Sequence, residues 1–334
     1  MVFLAAARAI IMMKKLIGAD LMIFPKRLTA AASALVMLTA LCSCKAGPEL
    51  KLGTGNEGGV YYAFGTELGE LESDITVHTT AGSQANLRLM DEGYIDLAIV
   101  QSDILSEAVN GVGDFENAPV SSVRAVAGLY DEAMQIIVRA DSDIEDLSDL
   151  RGKTISVGDV DSGVARNAEY LLASAGISST AVNRVFMSYR KSADALSDGT
   201  IDAFFVIVGV PSDIVSEISD STDVRILPLD EHALAYMTGL YSGYSAVTIP
   251  AGTYRGQTGD ITTLGVRAVL IADSRADKEK INRLTQLLLA DEALSGGHGA
   301  EYASADIPCA FHDGAAEYYT SVGVEVKTGP AECE

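Results

Sequence analysis

The feature that most restricts this chain is an alternation of strand-like and helix-like segments from Glu49 onward. Glu49–Leu52 reads as a short strand, followed by a glycine loop and a helix from about Val60 to Glu72. Ile75–Thr79 is a second strand, Gln84–Glu92 a helix, and Asp96–Gln101 a short apolar strand. Alternation of this kind predicts parallel sheets flanked by helices. Two apolar strands follow, Val123–Leu129 and Met134–Arg139, and then the logic repeats. Thr154–Gly158 is a strand, Asp161-Ser162-Gly163 opens a helix, Asn183–Ser188 is a strand, Ser192–Asp198 a helix, and Ile201–Val208 a buried strand. Gly93-Tyr-Ile-Asp-Leu-Ala in the first series is echoed by Gly199-Thr-Ile-Asp-Ala-Phe in the second, which implies two similarly built α/β lobes. Thr262–Ala272 is a later strand and Lys278–Ala290 a helix.

The 334 residues are enough for two domains with real cores. The N-terminus reads differently from the rest. Lys26 and Arg27 precede an apolar run, Leu28–Leu41, of the length of a signal-peptide core. That run is shorter than the roughly 20 residues a membrane span needs. It ends in Leu41-Cys42-Ser43-Cys44, which resembles the lipobox of bacterial lipoproteins. The resemblance implies cleavage after residue 43 and a lipid on Cys44; an ordinary secretory signal is the alternative. Met13 and Met22 are alternative starts. The net charge is −22, and without residues 1–43 it is −26. So acidic a chain repels phosphate backbones and is not expected to bind nucleic acid. Cys309 and Cys333 remain in the exported part, either as a disulfide tying down the tail or as two free thiols. Nothing around them has metal-ligand spacing, and no metal or cofactor is expected.

No catalytic constellation is visible. His78, His232, His298 and His312 stand apart from the cysteines, and neither G-x-S-x-G nor G-x-x-x-x-G-K-[ST] occurs. Gly53, Gly55 and Gly58 have the G-x-G-x-x-G spacing of a dinucleotide loop. A nucleotide-dependent oxidoreductase would also need an acid closing the second strand. Here that strand ends in His78-Thr79-Thr80. What the chain offers is donors: Gly55–Tyr62, Thr79–Ser83, Gln101–Asp103 and Asp161–Gly163. Helix N-termini present free N–H groups and a partial positive charge, which suits a carboxylate. Each turn can also be a plain helix cap. Four of them at strand ends in two lobes point to a cleft.

In order along the chain stand G-T-G-x-x-G-G-x-Y-Y, T-T-x-G-S-x-x-N-L-R-L, D-L-A-I-V-Q-S-D, V-R-A-D-S, L-x-G-K-x-I-S-V-G and I-D-A-F-F-V-x-x-G-V-P, then I-P-A-G-T-Y at Ile249 and the His312–Tyr319 segment. Over roughly Leu50 to Val322 this order resembles the TAXI family, solute-binding proteins of TRAP transporters. The resemblance implies a type II periplasmic-binding-protein fold. Each of its two lobes is a mixed, mostly parallel sheet flanked by helices, and a two-segment hinge joins them. We expect lobe one at 48–130 plus 250–334 and lobe two at 131–249. The implied function is extracytoplasmic capture of a small organic acid or amino acid (glutamate, glutamine or 2-oxoglutarate in kind), without catalysis. The implied partner is a TRAP permease in the membrane, with the protein a lipid-anchored monomer. A binding protein that feeds a sensor is the other reading.

Carried over residue by residue, the resemblance places Gly55, Gly59, Tyr61 and Tyr62 in the first binding loop, with Asn56 of that loop also expected at the ligand, and Thr80, Gly82, Ser83 and Asn86 in the second. Gln101, Ser102 and Asp103 stand beside them. Ser162, Gly163, Gly209 and Pro211 come from the other lobe, and Tyr130 lies where the chain crosses. Asn56-Glu57 and Val160–Val164 depart from the family pattern and add acids near the cleft. Those acids favour a ligand with an amino group, or else point to solvent. Arg166 is placed to hold a ligand carboxylate, or to make a surface ion pair.

Overall fold

The computed structural model describes residues 49–329. The leader 1–43, Cys44 and Cys333 lie outside the described residues. The first series folds as β1 (Leu50–Gly53), α1 (Val60–Leu71), β2 (Ile75–His78), α2 (Ser83–Asp91), β3 (Leu97–Gln101) and α3 (Ser102–Asn110). A long strand, β4 (Val123–Arg139), leads into β5 (Thr154–Ser156), α4 (Gly163–Ser174), β6 (Asn183–Val185), α5 (Tyr189–Ser197), β7 (Ala203–Val208) and α6 (Asp213–Ser221). Then come β8 (Val224–Ile226), α7 (Glu231–Leu240), β9 (Ser245–Ile249) and a second long strand, β10 (Ile261–Asp273). The helices α8 (Lys278–Ala290), α9 (Glu292–Ser295), α10 (Ala300–Ser304) and α11 (Asp313–Ser321) complete the described chain.

One mixed sheet runs through the molecule in the order β2-β1-β3-β10-β4-β7-β5-β6, with β8 beside β4 and β9 beside β10. β1 pairs in parallel with β2 and β3, and β5 pairs in parallel with β6 and β7. β4 and β10 are antiparallel to each other and to β7 and β3 respectively, so they join the two parallel blocks. β3 and β7 are buried at every position, as unbroken apolar runs covered on both faces must be. Burying each such side chain contributes about 1.5–3 kcal/mol.

The apolar residues form separate cores. One gathers β1, β3, α1 to α3, the first half of β4, Ala268–Ala272 of β10 and the C-terminal helices. Two others flank the second block, around Met134, Ile155, Leu171 and Phe205 on one side and Ile137, Phe204, Ile214 and Tyr254 on the other. Ile249, Tyr254, Leu264 and Val266 pack with the second block, so β10 passes from one set of cores to the other between Val266 and Ala268.

Several local features differ from the sequence expectation, among them helices at Ser102–Asn110 and Asp313–Ser321 where none was predicted. Residues 123–139 form one strand, not two. Tyr130, Asp131 and Glu132 break the apolar pattern because the strand there leaves one core and enters the next. The pairing with β10 is irregular at the same place, between Arg267 and Val269. Residues 229–261 also carry α7 and β9, for which no element was predicted.

Candidate functional site

The parallel strands β1, β3, β5 and β7 end at Gly53, Gln101, Ser156 and Val208. Beyond these ends lies a pocket. It sits where ligands bind in open α/β sheets, outside the carboxyl ends of the strands. Its walls are the starts of helices from both blocks. Gly55–Tyr61 lead into α1, Ala81–Ser83 into α2, Ser162–Val164 into α4, and Tyr189 and Arg190 open α5. First-turn amides have no intrahelical acceptor, and each helix start carries a partial positive charge. Glycine lets these turns come close. Gly82 has φ of +120°, and a Cβ there would lie 3.6 Å from Ser162 Cα across the pocket. A Cβ on Gly163 would meet Gln101 Oε1 at 1.8 Å.

Of the residues expected to bind a ligand, Gly55, Asn56, Gly59, Tyr61, Gly82, Ser83, Gln101, Ser162 and Gly163 line this pocket. The others do not. Asn86 is fully buried; its Nδ2 donates to Thr54 O at 2.7 Å and Ile99 O at 2.8 Å, and its Oδ1 accepts from Thr80 Oγ1 at 2.7 Å. Thr80 and Asn86 therefore brace the ends of β1 and β3 beneath the pocket. Tyr62 lies on α1 outside the lining, and Ser102 is buried at the start of α3. Tyr130 packs at a tilt of 53° against Phe64 with ring centroids 6.5 Å apart, and Gly209 and Pro211 follow β7 outside the lining. A Cβ on Gly209 would lie 3.8 Å from the Tyr130 ring.

Arg166 and Asp103 bind protein, not the pocket. The Arg166 guanidinium reaches Glu107 at 3.4 Å, Glu169 at 3.3 Å and Asp114 at 3.8 Å, and covers the Tyr170 ring at 4.4 Å. Three carboxylates already compensate it, so its expected hold on a ligand carboxylate is not what the structure shows. Asp103 accepts hydrogen bonds from Tyr244 OH and from Asn167 Nδ2 at 2.9 Å. Burial pushes its carboxyl up to about 6, against the opposing effect of those two bonds. Asp161 also turns from the pocket, to Arg88 at 2.5 Å, while its carbonyl accepts from Ala85 N at 3.0 Å. With an Asn56–Asp159 hydrogen bond and a 3.3 Å contact from Asn167 Nδ2 to Gln101 Oε1, these links form a seam that holds the two blocks together beside the pocket.

Sequence reading missed part of the lining. Glu132, Asp159, Tyr189, Arg190, Ile207, Val208 and Ile214 all face the pocket. Glu132, in the polar break of β4, is the most consequential. It is 2% exposed, and its Oε2 accepts the Tyr61 hydroxyl at 2.7 Å. Burial raises its carboxyl to about 8; the Tyr61 bond opposes this, and the nearby Asp103 and Asp131 charges add to it. Asp159 is also raised, chiefly by burial and against the Asn56 bond. Arg190 is the cation among the described lining residues, and it pairs with Glu217. The only sequence signal for Glu132 was the acid pair Asp131-Glu132 set between two apolar half-strands.

Two parallel α/β blocks joined by two crossing strands, with a pocket between them at the strand ends, define the type II periplasmic-binding-protein class. A binding component of a phosphonate transporter from Pseudomonas aeruginosa has this fold, with 12% identity, 73% of this chain and 74% of that chain covered, and a TM-score of 0.50. The alkanesulfonate-binding protein SsuA from Xanthomonas axonopodis pv. citri aligns at 18% identity over 75% of this chain and 77% of its own, with a TM-score of 0.45. The arginine-, lysine-, histidine-binding protein ArtJ from Geobacillus stearothermophilus aligns at 9% identity over 74% and 92%, with a TM-score of 0.46. The chain belongs to the NMT1-like family, whose model matches residues 52–323.

Proposed function

We propose that the chain is an extracytoplasmic solute-binding protein that captures a small organic acid or amino acid in this pocket. The observation that carries the reading is the convergence of four helix starts, from both blocks, on one pocket at the sheet's carboxyl ends. Apart from Ala85 N and Ala165 N, which Asp161 O and Ser162 Oγ already take, the first-turn amides and the helix dipoles suit an anionic head group. The glycine loop at Gly53–Gly59 serves this purpose better than a dinucleotide, because no acid closes β2.

The proposal includes two lobes, 48–130 plus 250–334 and 131–249, with Ile249–Val266 packed on the second. It also includes a lipid on Cys44, a monomeric state, and delivery of the ligand to a membrane permease, which the ordered TAXI-like motifs suggest is of TRAP type. No helix among the described residues is long and apolar enough to cross a membrane. Pairing of Cys309 with Cys333 belongs to the same proposal. In the structure Cys309 carries a buried free thiol that burial pushes up to about 12.

Thermal-shift titration tests the binding role. An amino or organic acid at about 100 times its dissociation constant should add roughly 2.7 kcal/mol of stability. Stabilisation by NAD(P) and by no amino or organic acid would overturn the proposal in favour of the nucleotide reading.

A further inference from the structure

Among the described residues, the pocket holds a buried acid with no cation to meet it. Glu132 lines the pocket, and its carboxyl accepts a single hydrogen bond there, from Tyr61. A carboxylate can accept about four. Arg190, the cation on the wall, makes an exposed ion pair with Glu217, and its charge is not among those acting on Glu132. The groups that act on Glu132 are tyrosines and acids. Tyr61 comes from α1, Tyr189 from α5 and Tyr130 from β4 itself; Asp103 of α3 and Asp131, which turns to Arg267 on the other face of β4, act on it by charge alone. The Tyr130 hydroxyl is buried with no hydrogen-bond partner among the described residues. A buried carboxylate without a counter-ion is costly and stays protonated. The same arrangement, a buried acid beside tyrosines on a pocket wall, is a receptor for an ammonium group, whose charge would pair with the carboxylate.

We infer that Glu132 receives a protonated amine on the ligand, so that the pocket selects molecules carrying both an anionic head group and an amine over otherwise identical acids without one. This rests on the solute-binding reading above. The ammonium supplies the missing charge, the Glu132 carboxyl ionises, and its proton leaves to solvent. The ligand keeps its own protons, and no covalent bond forms or breaks in it. With the carboxyl at about 8 in the free protein, roughly nine-tenths is protonated at pH 7. Binding at pH 7 then releases close to one proton, and affinity rises nearly tenfold from pH 6 to 7 before levelling above about pH 8.

The test is calorimetry on the whole protein with matched pairs: glutamate with 2-oxoglutarate, alanine with pyruvate, and leucine with 4-methyl-2-oxopentanoate. Each titration is run in buffers of different ionisation enthalpy. The amino member of one pair should bind at least tenfold more tightly than its oxo partner and release close to one proton. Glu132→Gln should abolish that release and lower the affinity for the amino acid by tenfold or more, with the oxo acid little changed. The amide is isosteric with the protonated acid, and the variant's melting curve shows that it folds. Equal or tighter binding of the oxo acids, or proton release that survives in Glu132→Gln, would overturn the inference and leave the solute-binding reading standing. No binding by any of the six, nor by wider sets of amino and organic acids, would overturn both.

Discussion

Glu132 shows how one residue couples this site to stability. Its folded carboxyl stands at about 8 against an ordinary 4.5, and Asp103 at about 6 against 3.8. In the unfolded chain both acids lose their protons near the ordinary values. In the folded chain they keep them to higher pH. The stability these groups contribute is therefore full below about pH 4 and is lost as pH rises, through 6 for Asp103 and through 8 for Glu132. A carboxyl that folding holds one pH unit above its ordinary value contributes up to about 1.4 kcal/mol. The ligand-free protein should melt at progressively lower temperature between pH 6 and 8, and Glu132→Gln should flatten that slope. A variant slope equal to the wild-type slope would show that Glu132 ionises near its ordinary value. Arg166 makes the converse point. Its residue type and helical position suited a ligand carboxylate, yet Glu107, Asp114 and Glu169 surround it. A sequence displays a charge but not the partners that neutralise it.

At the level of elements, the helix starts were legible because capping chemistry is local. Ser162 accepts from Ala165 N at 3.2 Å as the N-cap of α4, as the Asp161-Ser162-Gly163 turn predicts. Less local is the reason position 163 is glycine. The start of α4 touches Gln101 there, and a methyl group would displace the Gln101 amide and its contact with Asn167. Gly163→Ala should lower ligand affinity by tenfold or more while moving the melting temperature by only a few degrees, since the clash lies in the seam. Unchanged affinity in a binding titration would show that the blocks need not approach this closely. The long strand β4 escaped sequence reading for a related reason. Its polar triplet resembles a loop, but pairing of Asp131 and Glu132 with Arg267 and Val266 of β10 keeps the backbone extended through it.

Across the whole molecule, the seam links hold the two blocks together beside the pocket. They differ in worth. Arg88–Asp161 is about two-fifths exposed on each side, and such pairs contribute about 0–1 kcal/mol. Asn167 is fully buried; its Nδ2 donates to Asp103 and to Gly163 O, both at 2.9 Å, and contacts Gln101. Removing it leaves buried partners unsatisfied, at about 1–3 kcal/mol. Arg88→Ala should therefore weaken ligand binding no more than about fivefold, and Asn167→Ala clearly more. Small-angle scattering should show ligand-induced compaction in the wild type and less of it in Asn167→Ala. The opposite order of effects in the two variants would mean that the rim, not the buried contact, controls closure.

By itself the sequence determined the two α/β blocks, the placement of most of their elements and the helix starts that wall the pocket. Those properties follow from hydrophobic periodicity and from capping, which act over a few residues. Only the tertiary structure decided that β4 and β10 tie both blocks into one sheet, that Thr80 and Asn86 brace the turns beneath the pocket, and that Arg166 is spent on ion pairs. It also brought Glu132 into the pocket beside Tyr61, a residue 71 positions earlier in the chain. The meaning of a buried charge lies in its partners. Strand crossing and block closure bring those partners together from distant parts of the chain, where periodicity carries no information.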